Sequence, residues 1–110
     1  MKKFIVIYRA PTSAFDAMKD ATPEDMQAGM EDWIAWAARC GDSLVDMGSP
    51  LGGGQTLTTS GSTTNDGVAG YSILQADDMD GAKTLLDGHP HLEWAPGCEI
   101  DVHECMPMQM

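Results

Sequence analysis

Residues 3–9 read KFIVIYR. In a β-strand successive side chains point to opposite faces. The two faces would then carry Phe4, Val6 and Tyr8 on one side and Ile5 and Ile7 on the other. Both faces are apolar, which is typical of a strand in the middle of a sheet that is covered on both sides. The segment therefore predicts a central strand close to the N-terminus.

A long amphipathic helix is predicted after a loop over residues 11–21. Thr22 is a suitable N-cap, Pro23 fits the first helical position, and Asp25 completes the spacing of a capping box. Gly41 is a typical residue to end the helix. The apolar stripe expected to face the core, which Ile34 and Ala38 widen, consists of Met26, Met30, Trp33, Ala37 and Cys40.

The rest of the chain predicts three further strands and one further helix. The strands are expected at residues 43–47, 68–75 and 98–104, and the Thr-rich residues 55–60 are an optional extra strand. Residues 61–67, GSTTNDG, end in a strong turn signal and are predicted as a turn.

The second helix is expected after an N-cap at Asp77 or Asp78 and ends at Gly88. Its buried stripe is predicted to be Met79, Ala82, Leu85 and Leu86. Residues 89–97, HPHLEWAPG, are predicted as an irregular connection.

This order of elements, β-α-β-β-α-β, predicts one α+β domain over residues 1–110 with a ferredoxin-like antiparallel sheet. The first and third core strands lie in the middle of such a sheet, and the two helices cover one face. The other face would leave a large apolar patch in water unless it packs on a second copy. We therefore expect a homodimer with the architecture of a dimeric α/β barrel.

The composition excludes several classes of partner. The formal net charge of the chain is -11, which disfavours binding to nucleic acid and to anionic membrane surfaces. No segment approaches the roughly 20 apolar residues of a membrane span, and the N-terminal apolar run is too short for a signal peptide. The three cysteines lack a CxxC pair and are expected to be reduced thiols, so the predicted location is the cytoplasm.

Three segments resemble the YCII-related family, which includes the DGPF-type proteins. They are EDWIAWAARCGDSLVDMGSPL, GYSILQADDMDGAKTLLDGHPHL and GCEIDVHECMPM, and the resemblance spans about residues 3–107. It implies a dimeric α+β barrel with a cleft near the sheet edge, and many members resemble enzymes with a His and Asp pair there. This chain departs from the pattern, because Met30 stands near the position of the helical histidine. His89-Pro90-His91 replaces an Asp-Pro-aromatic turn.

The predicted catalytic pair is His91 and Asp46, with the imidazole as acid or base and the carboxylate fixing its tautomer. An exposed structural acid is the alternative for Asp46. Trp36 and Trp94 are expected to line an aromatic pocket or, equally, to lie at the dimer interface. The predicted ligand-binding set is Trp36, Met30, His89, Trp94 and Tyr71.

His89 and His91 form an HxH sequence, which on a regular strand would offer two ligands to zinc or nickel. Pro90 interrupts regular geometry, so a rigid turn whose histidines bond to the backbone is the preferred interpretation. Gly52, Gly53 and Gly54 lack the remainder of a phosphate-binding motif. We therefore predict no metal and no cofactor.

Two functions remain open on the sequence. One is a small-molecule enzyme with acid-base chemistry at His91. The other is a non-catalytic ligand-binding, accessory or regulatory protein, which the absence of a helical histidine favours. The identity of the small molecule is not predicted.

Overall fold

The computed structural model describes residues 1–107, apart from the side chains at positions 15, 17 and 18. The strands are β1 (Lys2–Arg9), β2 (Leu44–Pro50), β3 (Gly54–Thr58), β4 (Gly61–Asn65), β5 (Val68–Ala76) and β6 (Glu99–Glu104). The helices are α1 (Thr12–Met18), α2 (Pro23–Cys40), α3 (Met79–Leu85) and α4 (Pro90–Trp94), and a 3-10 turn occupies Gly41–Ser43.

Four strands form one antiparallel sheet in the order β2-β5-β1-β6. The first and third core strands, β1 and β5, are central, which confirms the predicted ferredoxin-like βαββαβ arrangement. Strands β3 and β4 form a separate two-stranded hairpin inserted between β2 and β5.

The helices pack on one face of the sheet. Phe4 and Val6 are fully buried on that face, and their partners on β5, Leu74 and Ser72, are fully buried as well. Burying the side chains of Phe4, Val6 and Leu74 contributes about 1.5–3 kcal/mol each to folding. The alternate side chains on the opposite face, which we call the open face, are half-buried: Ile5, Ile7, Tyr71 and Ile73.

The N-terminus of α2 has the predicted cap. The Asp25 amide donates to Thr22 Oγ1 over 3.1 Å, and the Thr22 amide donates to Asp25 Oδ2 over 3.2 Å. A capping box satisfies two backbone donors that would otherwise lack an intrahelical partner. Gly41, at φ +54°, ends the helix as expected.

The predicted core stripe of α2 is wrong in its first half. Met26 and Met30 are 57% and 59% exposed, whereas Trp36 is 3% exposed and Cys40 6%. Residues 22–32 are all exposed, so only the second half of the helix lies over the sheet. The core contact therefore runs through Trp33, Trp36, Ala37 and Cys40.

Two short helices replace predicted irregular segments. α1 lies within the predicted loop 11–21, and α4 lies within the predicted connection 89–97. Residues 61–65 of the predicted turn form strand β4 instead. Helices of this length have too few turns to be identified by hydrophobic periodicity, because their formation depends on packing against the rest of the fold. No helix within residues 1–107 is both long and apolar enough to cross a membrane.

Candidate functional site

An aromatic and histidine cluster lies on the helix-covered face, where the end of β1 meets α2 and α4. The ring of Tyr8 lies 4.9 Å from Trp33, 5.0 Å from His89 and 5.3 Å from His91, measured between centroids. Trp36 lies 4.4 Å from His89. The Tyr8 hydroxyl donates to Ser72 Oγ over 2.8 Å, and burial raises its pKa to about 12. This tyrosine is therefore a fixed neutral part of the cluster.

His89 is fully buried and caps the N-terminus of α4. Its Nδ1 accepts the backbone N–H of His91 over 3.0 Å, so the proton of the neutral ring is on Nε2. That Nε2 has no hydrogen-bond partner among the described residues. Trp33 and Trp36 pack edge-to-face against the ring, with centroid distances of 4.5 Å and 4.4 Å, and aromatic faces are weak acceptors.

The imidazole of His89 is held neutral at pH 7. Burial, together with the nearby His91 and Arg39, lowers its pKa from 6.5 to about 3. Desolvation penalises the charged form of a buried base. His89 therefore shapes the site but does not change its protonation state near neutral pH.

His91 is 4% exposed and held by the backbone of β1. Its Nε2 lies 2.8 Å from the Arg9 carbonyl oxygen, which can only accept, so Nε2–H is the donor. Nδ1 is then the unprotonated nitrogen of the neutral ring. The ring centroid lies 5.8 Å from that of Trp94, at the end of α4. His91 is thus fixed in one tautomer directly behind a more exposed aromatic side chain.

A cleft of about 240 Å³ opens between α2 and α4 beside this cluster. Its lining consists of Gly29, Asp32, Trp33, Pro90, Glu93 and Trp94. Two indole rings offer flat apolar surface, and two carboxylates offer hydrogen-bond acceptors. An apolar concave surface with a few polar groups is the usual form of a small-molecule site.

The structure does not bring Asp46 to His91. Asp46 pairs with Ile73 on β5 and therefore lies on the open face, whereas His91 packs on the helix-covered face. Its carboxylate accepts the Gly48 amide over 2.8 Å, within an irregular part of β2. This hydrogen bond gives Asp46 a structural role.

The other predicted site residues are scattered. Trp94 lines the cleft and is 37% exposed. His89 does not line the cleft, but its ring packs against Trp33, which does. Trp36 is a core residue whose Nε1 donates to the Leu85 carbonyl over 2.9 Å. Met30 is exposed beside Gly29, and Tyr71 lies on the open face.

Gly29, Asp32 and Trp33 form one side of the cleft but are not among the ligand-binding residues predicted from the sequence. Residues three and four apart share a face of a helix, so this spacing was the available signal. The spacing does not by itself indicate a cleft, because Trp33 also fits the predicted core stripe. The opposite wall, α4, is predicted as an irregular connection and not as a helix.

The HxH sequence does not form a two-ligand site in this geometry. His89 Nδ1 is engaged by the His91 amide, and His91 Nε2 by the Arg9 carbonyl. Within residues 1–107, no group of three or more His, Cys, Asp or Glu side chains is arranged to hold a metal ion.

Comparisons with protein-family models and with curated proteins find no match. Among solved structures, the chain is similar to 5-chloro-2-hydroxyhydroquinone dehydrochlorinase (TftG) from Burkholderia phenoliruptrix AC1100, in complex with 2,5-dihydroxybenzoquinone. The likeness covers 90% of each chain, with a TM-score of 0.51 and 14% sequence identity. At this identity it shows a shared α+β fold, which is compatible with the YCII-related resemblance.

Proposed function

We propose that the chain binds a small, flat ring compound in the cleft between α2 and α4. The observation that carries the proposal is that Trp33 and Trp94 both line this one cleft. Indole rings bind flat ligands through stacked or edge-to-face contacts. Trp33 is anchored by its edge-to-face contacts with Tyr8 and His89, so one wall of the cleft is preorganised.

The polar groups of the cleft favour a ligand that donates hydrogen bonds. Asp32 and Glu93 supply carboxylate oxygens, which accept from hydroxyl groups, and the net charge of -11 disfavours anions. A hydroxylated aromatic ring or hydroquinone meets both requirements. The similarly folded dehydrochlorinase has 2,5-dihydroxybenzoquinone in its structure, which supports a flat six-membered ring as the ligand shape.

Replacing Trp94 by alanine is expected to weaken binding about tenfold, because a stacking partner and its apolar area are lost. Hydroquinone and 2-hydroxyhydroquinone are titrated by calorimetry, with benzoate and 2,5-dihydroxybenzoquinone, whose acidic hydroxyls are ionised near pH 7, as the anionic comparisons. Leu92→Ala is the matched control, since Leu92 is 47% exposed on the same helix and does not line the cleft. Absence of binding to both hydroquinones, or equal loss in both variants, contradicts the proposal.

As the second candidate function we propose acid-base chemistry at His91, which does not line the cleft but packs against Trp94, which does. His91 lies behind Trp94, and its Nε2–H bond to Arg9 leaves Nδ1 as the atom that can accept a proton. His91→Gln keeps a donor for the Arg9 carbonyl but removes the base. If a bound compound is converted, this variant is expected to lose turnover while the dissociation constant stays within about threefold of wild type. Unchanged turnover in His91→Gln would show that His91 is not the acid or base.

We also propose that the chain is a homodimer joined through the open faces of the sheets. The support is the row of half-buried apolar side chains there, Ile5, Ile7, Tyr71 and Ile73, on a face without a covering helix. Packing two such faces would bury this row in a two-fold interface. Light scattering after size exclusion at low micromolar concentration is expected to give twice the chain mass of 11.8 kDa. A particle of 11.8 kDa contradicts it.

A further inference from the structure

Strands β3 and β4 form a hairpin, residues 54–65, that we call the arm. The segment 51–65, LGGGQTLTTSGSTTN, holds no charged residue, although 21% of the chain is charged and the net charge is -11. Exposed surface of a soluble protein normally carries interspersed charges. The arm is therefore the part of this surface that a like-charged molecule can approach at the lowest electrostatic cost.

The arm has almost no packing within its own chain. Every arm residue except Asn65 is exposed, and Leu57 reaches 77% exposure. The described chain has a radius of gyration of 15.3 Å, against about 13 Å for a compact domain of this length. An isolated two-stranded hairpin is at best marginally stable in water, and it needs further strands or packing to persist.

Both arm strands also have a free edge. Within residues 1–107, β3 and β4 pair only with each other, so each presents unpaired backbone donors and acceptors on its outer side. Free edges of this kind recruit further strands or another chain. Neither arm strand contains the charged or proline residues that commonly block such pairing.

The arm starts at one end of the four-stranded sheet. The Leu51 amide donates to the Ala69 carbonyl over 2.9 Å, and the Ala10 amide donates to the Gly67 carbonyl over 3.0 Å. Both ends of the arm are thus tied to the end of the sheet where β1 finishes. A second copy that covered the open face as far as this end of the sheet would therefore come close to the base of the arm.

We infer that the arm docks on a second copy of this chain, through its free strand edges and Leu57. We take the molecule that contacts the arm to be a second copy of the chain. Every copy carries the same charge of -11, and the uncharged arm is where two such copies repel each other least. A basic partner would instead be recruited by an acidic surface. The inference rests on the proposed homodimer and extends its interface from the open face to the arm.

Photo-crosslinking from position 57 tests this docking. A photoreactive amino acid replaces Leu57 in the full chain, and dimers are assembled from isotopically labelled and unlabelled subunits. Mass spectrometry then separates crosslinks between subunits from crosslinks within one. The control carries the same group at Met26, which is 57% exposed. Met26 lies in the first half of α2, the part of the helix that does not cover the sheet. Crosslinks of mixed isotope composition are expected from position 57 and not from position 26.

A second measurement uses Leu57→Ser, with Met26→Ser as its control. The dimer dissociation constant of Leu57→Ser is expected to rise about tenfold, equivalent to about 1.4 kcal/mol, and that of the control to stay unchanged. A wild-type dimer whose position 57 crosslinks only within its own subunit overturns the docking of the arm but leaves the homodimer standing. An unchanged dimer dissociation constant in Leu57→Ser likewise overturns the docking of the arm and leaves the homodimer standing. A monomeric wild type overturns both.

Discussion

Gly48→Ala is expected to lower the free energy of unfolding by about 3 kcal/mol or more. Gly48 has φ +81°, which an L-residue with a side chain rarely adopts. A Cβ atom there would lie 1.7 Å from the Tyr71 carbonyl oxygen and 2.6 Å from its carbon. These are backbone atoms of the central strand β5, so the clash cannot be relieved by rotating a side chain. Urea denaturation followed by circular dichroism measures the loss.

Gly52→Ala is the matched control for Gly48→Ala. Gly52 has no positive φ, and a Cβ atom there would meet nothing within 4 Å. Its replacement is expected to change the free energy of unfolding by less than about 0.5 kcal/mol. Equal stability of the two variants would contradict the close approach of β2 to β5.

Acidification below pH 6.5 is expected to destabilise the fold through His89 by about 1.4 kcal/mol for each pH unit, down to about pH 3. The pKa of the folded imidazole is lowered to about 3, while in the unfolded chain it is 6.5. Between about pH 6.5 and pH 3 the imidazole is therefore protonated in the unfolded state and neutral in the folded state. The contribution is fully present above pH 6.5 and is lost progressively as the pH falls. Urea denaturation at several pH values between 7 and 4 measures the slope.

His89→Asn separates this contribution from the other titrating groups. Asparagine can cap α4 by accepting the His91 amide, but it does not titrate in this range. The variant is expected to lose less stability per pH unit than the wild type, whatever its stability at pH 7. Parallel slopes, or an imidazole of His89 that titrates above pH 5 by NMR, would contradict the neutral buried state.

The fold was largely predictable because β1 carries apolar side chains in both registers. That pattern identified a central strand, and the order of the remaining periodic segments was sufficient for the βαββαβ arrangement. Thr22 and Asp25 also marked the start of α2 correctly, since a capping box depends on residues only three apart. Local interactions of this kind are readable from neighbouring positions.

The candidate site was less predictable, and the two tryptophans of α2 show why. Trp33 packs against the core as predicted and also lines the cleft, whereas Trp36, predicted for the pocket or the dimer interface, is buried against α3. Residues three apart differ by about 60° around a helix, so a small rotation decides which of the two reaches the cleft. The rotation is set by the sheet and by α3, which the periodicity of α2 alone does not include.

The sequence by itself determined the central strands, the capped helix and the apolar character of both sheet faces, because alternation and capping are local patterns. Only the tertiary structure placed Asp46 and His91 on opposite faces, since an irregularity in β2 sets the direction of the Asp46 side chain. It also decided that His89 is buried among Tyr8, Trp33 and Trp36, because that environment is assembled from strand and helices distant in the chain. The dimer contact expected from β1 remains a prediction: the alternation of β1 identifies two apolar faces, and the fold covers one of them with helices.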